Sequence, residues 1–200
     1  RKFCPVPHRD GAREKVCPKY GISGRYYLYL GNLEPRKNIS GLVEAYKKAL
    51  QKCPDLPLLA IAGGRGWQYD EIFDRVKSLG LSEKVIFTGY VDDDDVPLLI
   101  NGAEAFCFPS FYEGFGMPPL EAMSCGVPVI VSKTSSLPEV VGDCGISVDP
   151  YNVQEIADAL IRMTDKKFCE EQRKAGIERA KTFSWEKSAA LLKGLLEELV

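Results

Sequence analysis

The chain has one histidine, His8, and its seven cysteines include no C-x-x-C pair. A zinc site would need thiolates or carboxylates at spacings that the sequence does not offer, so we expect no bound metal. The odd number of cysteines also argues against a disulfide framework. Cys107 and Cys125 lie in apolar segments, and we expect both to be small core residues.

A strong charge of one sign and long hydrophobic runs are also missing. Lys and Arg number 26 against 28 Asp and Glu, which leaves a net charge of -2. This balance provides no general attraction for nucleic acid or anionic lipid, so any bound anion must be held by local groups. The apolar runs are far shorter than the roughly twenty residues of a membrane span, and no signal peptide opens the chain. We therefore expect a cytoplasmic protein with no transmembrane segment and no nucleic-acid partner.

The chain does contain a regular alternation of short apolar runs and helical stretches. The expected strands cover residues 26–30, 58–62, 85–88, 105–108, 127–131 and 145–148, and the expected helices between them cover 39–51, 69–79, 96–101 and 118–124. Short, continuously apolar runs are typical of strands buried on both faces of a parallel sheet. The pattern predicts an α/β fold: a Rossmann-like, doubly wound parallel sheet of about six strands with helices on both faces.

The two ends of the chain differ from this repeat. Helical segments over residues 152–164, 168–182 and 185–199 predict a helical C-terminal tail, with Ser184 capping the last helix and Trp185 in the core. Residues 1–25 are rich in proline and glycine, and we interpret them as an interdomain connector. Residues 26–200 would then form one binding domain.

Ligands of open parallel sheets bind at the carboxyl ends of the strands. Arg36 and Lys37 follow the first expected strand and stand just before a helix. A helix N-terminus favours anions, and the Arg fork and Lys point charge add to it, so this turn suits a diphosphate. Taken alone, the pair is equally explained as a solvated basic turn.

The loop after the fourth expected strand combines two carboxylates with bare backbone. Gly114 and Gly116 allow a ligand to approach the backbone closely, and prolines follow in the first helical turn. Glu113 and Glu121 flank this turn, and a carboxylate accepts two hydroxyl hydrogen bonds, as from a sugar or ribose. The alternatives are an exposed loop acid for Glu113 and a first-turn helix acid for Glu121.

Two other signals carry less weight. The aspartates at 92–95 would suit Mg²⁺, but they directly precede a helical segment and are better explained as an N-cap with an acidic first turn. The turn Gly63-Gly64-Arg65-Gly66 lacks the spacing of a dinucleotide fingerprint, and we interpret it as a close-approach turn.

Together these segments resemble a known family. The two glutamates separated by seven residues, the turn at 31–38 and the run Glu-Ala-Met-Ser-Cys-Gly-Val-Pro-Val-Ile at 121–130 are similar to the C-terminal half of glycosyltransferase family 4, also called group 1. Its members are retaining, nucleotide-sugar-dependent enzymes of the GT-B fold. The resemblance extends from about residue 26 to residue 200.

The resemblance implies a role for each matching residue. Lys37 and Arg36 would hold the diphosphate and Glu113 the donor sugar, which makes these three the catalytic group. The remaining donor contacts would come from Glu121 to the ribose, from backbone amides of Gly114, Phe115, Gly116 and Met117 to sugar and phosphates, and from main-chain atoms of Val85 and Ile86 to the base. Asn32 stands where many relatives have an arginine.

The resemblance further implies that the substrate is a nucleoside diphosphate sugar and that no metal cofactor is needed. The partner domain would be an N-terminal acceptor-binding domain of the same protein, absent here, which would also provide any peripheral membrane association. We therefore expect the isolated chain to be inactive. Two alternatives stay open: a non-catalytic nucleotide-sugar-binding module or subunit, and, less favoured because no Tyr-x-x-x-Lys pair is present, a sugar-nucleotide epimerase or dehydrogenase.

Overall fold

The structure, a computed structural model, describes residues 2–64 and 69–198. Within them, six parallel strands form one sheet in the order β3-β2-β1-β4-β5-β6. The strands are β1 (Tyr26–Leu30), β2 (Leu58–Ala62), β3 (Val85–Gly89), β4 (Ala105–Phe108), β5 (Val129–Ser132) and β6 (Ile146–Val148). The strand order reverses between β1 and β4, which confirms the predicted doubly wound topology.

Helices connect the strands and cover both faces of the sheet. They are α1 (Arg9–Val16), α2 (Ile39–Lys52), α3 (Tyr69–Ser78), α4 (Val96–Gly102), α5 (Met117–Ser124), α6 (Leu137–Val141), α7 (Val153–Arg162), α8 (Lys166–Ala180) and α9 (Trp185–Glu197). Right-handed crossovers running in opposite directions from β1 and β4 place α2 and α3 on one face and α5 and α6 on the other. From the tail, α7 packs against α2 and α8 against α5.

The centre of the sheet is unusual because its first strand carries three fully buried tyrosines. Their hydroxyl groups each donate to a backbone carbonyl: Tyr26 to Leu99 at 2.6 Å, Tyr27 to Leu160 at 3.0 Å and Tyr29 to Asn32 at 3.0 Å. Buried hydroxyl groups must be hydrogen-bonded, and here all three are. The bond from Tyr29 fixes the start of the turn that follows β1.

The two cysteines expected in the core are buried there, and neither is part of a disulfide. Burial raises the pKa of the Cys125 thiol to about 12. Both residues therefore act as small apolar side chains, as predicted. Among the described residues, no helix combines the length and apolar character that crossing a bilayer requires.

Residues 2–25 are folded onto the domain. Helix α1 packs against α4, and its residue Arg13 donates to the carbonyl of Gly102 at 2.6 Å. Ahead of it, the Val6 amide donates to the Asn101 side chain at 3.0 Å. Residue 26 is therefore the start of the sheet and not a structural boundary. That another domain precedes this segment stays a prediction.

The last helix differs from expectation. Ser184 caps α9 as predicted, because its hydroxyl accepts from the Lys187 amide at 3.1 Å. The core position predicted for Trp185 is wrong, since this side chain is 78% exposed. The helical spacing of the apolar residues is present, but nothing in residues 2–64 and 69–198 covers that face. Leu191, Leu192, Leu195 and Leu196 are exposed beside it.

The four-aspartate segment also has a different role. Asp95 occupies the N-cap position of α4, but its side chain makes no capping hydrogen bond. Instead, Lys19 donates to Asp92 at 2.7 Å and to Asp95 at 2.6 Å, which ties the N-terminal segment to the start of α4. The predicted side-chain cap is therefore wrong, because a cation from a distant part of the chain reaches these carboxylates.

Candidate functional site

Three glycines form the floor of the carboxyl edge beyond β1, β2 and β3. The Gly31 amide donates to the Ala62 carbonyl at 3.0 Å, and the Gly63 amide donates to the Gly89 carbonyl at 2.9 Å. All three glycines have positive φ, and a Cβ atom on Gly63 would lie 2.0 Å from the Gly31 oxygen. The close approach predicted at Gly63 is confirmed, while Arg65 of the same turn lies outside the described residues.

The turns after β1 and β4 meet where the strand order reverses. Asn38 is buried in a left-handed conformation, and its side chain donates to the carbonyls of Pro109 at 3.1 Å and Pro150 at 2.7 Å. The Phe111 amide donates to the Arg36 carbonyl at 2.9 Å. These bonds fix the relative position of the two turns. Sequence analysis missed Asn38, although asparagine is one of the few residues besides glycine that adopt the left-handed conformation.

Arg36, Lys37 and Glu113 lie together on this edge. Lys37 Nζ donates to Glu113 Oε1 at 2.7 Å, and Arg36 Nη1 lies 3.1 Å from Glu113 Oε2. Lys37 also lies over the Phe108 ring, 4.8 Å from its centroid. Arg36 also lies 3.5 Å from Glu34, so two cations face two carboxylates in this turn. An ammonium group has three donors, and Glu113 occupies one of those on Lys37. Lys37 can therefore donate to a further anion without losing its contact with Glu113.

Opposing effects act on the Glu113 carboxyl. Burial alone would raise its pKa, but hydrogen bonds and charge from Lys37, together with Arg36, outweigh burial and hold the pKa below its usual value of 4.5. Glu113 is therefore ionised at neutral pH. An ionised carboxylate is the form that accepts hydroxyl hydrogen bonds.

The lowered pKa predicts how stability depends on pH. Ionised Glu113 stabilises the folded state above the ordinary value of 4.5, and this contribution is lost as pH falls through the lower folded-state pKa. We expect the difference in unfolding free energy between the parent chain and Glu113→Gln to shrink as pH falls from 4.5 through the folded-state pKa of Glu113. Urea unfolding across a pH series measures it. A difference that stays constant over the series would contradict the prediction.

Four consecutive backbone amides lie in the loop between β4 and α5 and at the start of α5. Among the described residues, the N–H groups of Gly114, Phe115, Gly116 and Met117 have no hydrogen-bond acceptor. Gly116 caps α5 with a positive φ and has no side chain that could supply an acceptor. Unsatisfied amides at a helix start attract anions. This part of the predicted set therefore offers donors that a bound ligand can use.

The turn between β5 and α6 holds this loop through hydroxyl groups. Ser136 Oγ hydrogen-bonds the carbonyls of Glu113 at 2.9 Å and Phe115 at 2.8 Å. Ser135 Oγ accepts from the Glu113 amide at 3.0 Å, and Thr134 donates to the Phe111 carbonyl at 3.1 Å. The sequence showed only three adjacent hydroxyl residues, a pattern common to any turn, so this function was missed.

Removing one of these hydroxyl groups gives a test of the brace. Ser136→Ala is expected to lower the unfolding free energy by about 1–2 kcal/mol, because the two carbonyls lose the single hydroxyl donor that they share. Urea denaturation measures the change. Ser188→Ala is the matched control, since its exposed hydroxyl contacts only the Ser184 carbonyl within α9. Equal effects of the two substitutions would contradict a bracing role.

Glu121 is not in contact with the cationic cluster. It lies one turn into α5, in a depression of about 420 Å³ that Lys2, Phe3 and Met117 also line. Burial raises its pKa, while Lys2 acts in the opposite direction. Within residues 2–64 and 69–198, its carboxylate has no hydrogen bond or ion pair. Met117 adjoins both this depression and the free amides, so the two carboxylates flank the start of α5.

The remaining predicted contacts fall in different places. Val85 and Ile86 pair with Leu59 and Ala60 near the amino end of β3, away from the carboxyl edge. Contact of their main chain with a base stays a prediction. Tyr90, 69% exposed, follows the actual end of β3. Asn32 is exposed after β1, and its carbonyl accepts from Tyr29.

The geometry is that of a Rossmann-like domain with the cluster of Arg36, Lys37 and Glu113 at its topological switch point. A family model described as "Glycosyl transferases group 1" matches residues 14–183, so the chain belongs to that family. The chain is 43% identical over 183 residues to "O-antigen chain mannosyltransferase B" of Escherichia coli, covering 90% of this chain and 48% of that protein. It therefore spans about half of that relative's length.

Solved structures agree with the family assignment. Sucrose-phosphate synthase from Thermosynechococcus elongatus matches with a TM-score of 0.84 and 29% identity, over 99% of this chain and 50% of that one. The C-terminal domain of the group 1 glycosyl transferase LpcC from Francisella tularensis matches with a TM-score of 0.78 and 28% identity, over 90% of this chain and 94% of that one. The chain has the fold of one half of a GT-B glycosyltransferase, as the resemblance implied.

Proposed function

We propose that this domain binds a nucleoside diphosphate sugar and supports retaining transfer of the sugar to an acceptor hydroxyl. The observation that carries the proposal is the cluster of Arg36, Lys37 and Glu113 beside four free amides at the start of α5. Cations and amides suit the diphosphate, and the ionised carboxylate suits sugar hydroxyls.

In this proposal each group has a defined task. Lys37 and Arg36 contact the diphosphate and stabilise the charge that develops when the sugar bond breaks. Glu113 orients the sugar through its hydroxyl groups, and Glu121, whose carboxylate lacks a partner, accepts the ribose hydroxyls. The acceptor attacks from the side of the leaving phosphate, which takes its proton, so the protein supplies no nucleophile. The donor's charge is met by side chains and amides, so no metal is assigned to the site.

We propose mannose as the sugar and GDP as the carrier to be tried first. The support is the 43% identity to a protein named as a mannosyltransferase. The residues on the edge do not themselves distinguish a base, so UDP serves as the comparison. We also propose a cytoplasmic location, which suits the free cysteines of the chain.

We further propose that transfer needs an N-terminal acceptor-binding domain of the same protein. The support is that the chain spans 48% of the Escherichia coli mannosyltransferase. On this view the isolated domain binds the donor but transfers little or no sugar. The alternative, a non-catalytic binding module, predicts the same binding and no transfer even when the rest of the protein is present.

Calorimetric titration with GDP and GMP tests the binding proposal. GDP is expected to bind at least about tenfold more tightly than GMP, because its second phosphate adds charge-assisted hydrogen bonds. Titration with UDP gives the contribution of the base. Equal affinities for GDP and GMP, or no binding of either, would overturn the assignment of the cationic cluster to a diphosphate.

Transfer is tested separately with radiolabelled GDP-mannose and a mannose acceptor. The isolated chain is expected to give no product, and the longer protein is expected to give an α-linked one. Robust transfer by residues 1–200 alone would show that no further domain is needed. Donor binding without transfer by the full protein would favour the non-catalytic module.

A further inference from the structure

A second cavity lies at the opposite, amino edge of the sheet. It has a volume of about 570 Å³, and its walls include Arg25, Pro57 and Glu104, which directly precede β1, β2 and β4. Residues of α1 and α8 close its other sides. Because the strands are parallel, this cavity and the donor site are at opposite ends of the sheet. The proposed glycosyltransferase activity assigns it no role.

Three arginines in this region converge on one carboxylate. Arg9 contacts Glu104 at 3.0 Å and Arg13 contacts it at 2.5 Å, each on a different oxygen. Arg173 is left with longer contacts, 3.9 Å to Glu104 and 3.6 Å to Glu170. Its Nε atom is buried and has no hydrogen-bond partner in the described part of the chain. A buried charged donor without an acceptor is costly, so the position favours an additional anion.

The charges that line the cavity also favour a bound anion. Four cationic side chains line it against three acidic ones: Arg9, Arg25, Lys166 and Arg173 against Asp55, Glu104 and Glu170. Arg13, which also contacts Glu104, is itself paired with Asp10 at 3.1 Å and leaves this balance unchanged. Burial and the charge of Arg173 lower the pKa of Arg9, which reflects excess positive charge in a partly desolvated space. The chain as a whole is slightly acidic, so the excess is local.

The donors present select the chemical class of the anion. Arginine forks match the geometry of phosphate oxygens, and Lys166 adds a point charge. The hydroxyl groups of Tyr27 and Thr164 in the wall are already bonded, to the carbonyls of Leu160 and Ile161. The cavity is larger than one phosphate needs and falls in the size range of small-molecule sites. We propose that Arg9, Lys166 and Arg173 form a second anion site that binds the phosphate dianion of a small phosphomonoester or of inorganic phosphate.

Side-chain Nε–H resonances of arginine in a ¹⁵N spectrum give a direct readout. The experiment uses Lys37→Gln, which weakens phosphate binding at the donor edge, and titrates first inorganic phosphate and then glycerol 3-phosphate at constant ionic strength. A saturable shift of the Arg173 Nε–H signal is expected with a Kd of about 1 mM or below. Tighter binding of glycerol 3-phosphate than of inorganic phosphate would show that the organic part of the ligand contributes.

Two substitutions decide the result. Lys166→Gln, followed through the Arg173 Nε–H signal, and Arg173→Gln, followed through the Arg9 Nε–H signal, are each expected to weaken phosphate binding at least about tenfold. Arg75→Gln, which removes a surface pair with Glu44, leaves it unchanged. Lys166 is exposed and makes no ion pair in the described residues, so its substitution keeps the fold intact even where loss of Arg173 does not. A linear, unsaturated shift, or equal affinity in all three variants, would overturn the proposal. The Lys37→Gln background already weakens binding at the donor edge, so a loss of GDP binding neither supports nor contradicts this second site.

Discussion

Lys37→Met is expected to weaken GDP binding by about 1.5–3 kcal/mol, or roughly 10- to 150-fold. The Nζ atom of Lys37 is 2.7 Å from Glu113 and only 12% of its side chain is exposed. A charge in this largely buried position interacts more strongly with phosphate than a fully solvated charge does. Methionine keeps the length and apolar stem and removes the charge. Calorimetric titration of both proteins measures the difference.

The same substitution removes one of the two cations beside Glu113, so folding must be measured in parallel. Lys52→Met is the matched control, because Lys52 also pairs with a carboxylate, Asp158 at 3.0 Å, but is exposed at the end of α2. Lys37→Arg restores the charge and should recover part of the affinity. If Lys37→Met binds GDP as the parent does while remaining folded, the diphosphate does not lie at this cluster.

Much of the sheet could be predicted because burial on both faces leaves a clear pattern. The bounds expected for β1, β2 and β4 coincide with those observed. Val127 and Pro128 were included in a strand that begins at Val129, since the apolar run is longer than the segment that pairs with β4. Helix α6 was missed because five residues are too few to show a helical period.

The carboxyl-edge cluster could be predicted for a related reason. Arg36, Lys37 and Glu113 lie in turns that follow strands, and the topology alone brings such turns to one edge. The braces behind them could not be predicted. Asn38 reaches two carbonyls 71 and 112 residues away along the chain, and Ser136 reaches one 23 residues away. Such contacts depend on distances that a local pattern does not contain.

The base contact predicted for Val85 and Ile86 shows what the pattern of a correctly predicted strand leaves open. The run at residues 85–88 was correctly read as a strand, but its chemistry depends on which end reaches the site. Parallel pairing with β2 puts Val85 beside Leu59 and Gly89 beside Ala62, so only the end of β3 is at the edge. A strand must be oriented in the sheet before its residues are assigned to a ligand.

Gly63→Ala is expected to lower the unfolding free energy by about 3–5 kcal/mol, the largest stability effect among these variants. The new Cβ atom would lie 2.0 Å from the Gly31 oxygen and 2.7 Å from the Gly31 carbonyl carbon, and both are backbone atoms. The φ of Gly63 is 147°, which an L side chain rarely adopts. The turns after β1 and β2 would have to separate, and the Leu33 hydrogen bond to Gly64 would be strained.

Gly64→Ala provides the control one residue further along. No described atom lies within 4 Å of a Cβ placed there, and its φ is not positive. Its unfolding free energy is expected to change by less than about 1 kcal/mol. Because the turn after β1 leads directly to Lys37, Gly63→Ala should also weaken GDP binding in protein that remains folded. Equal stability of the two alanine variants in urea would mean that the turns at this edge can separate freely. The edge would then not be rigid enough to hold the donor-binding residues in a fixed geometry.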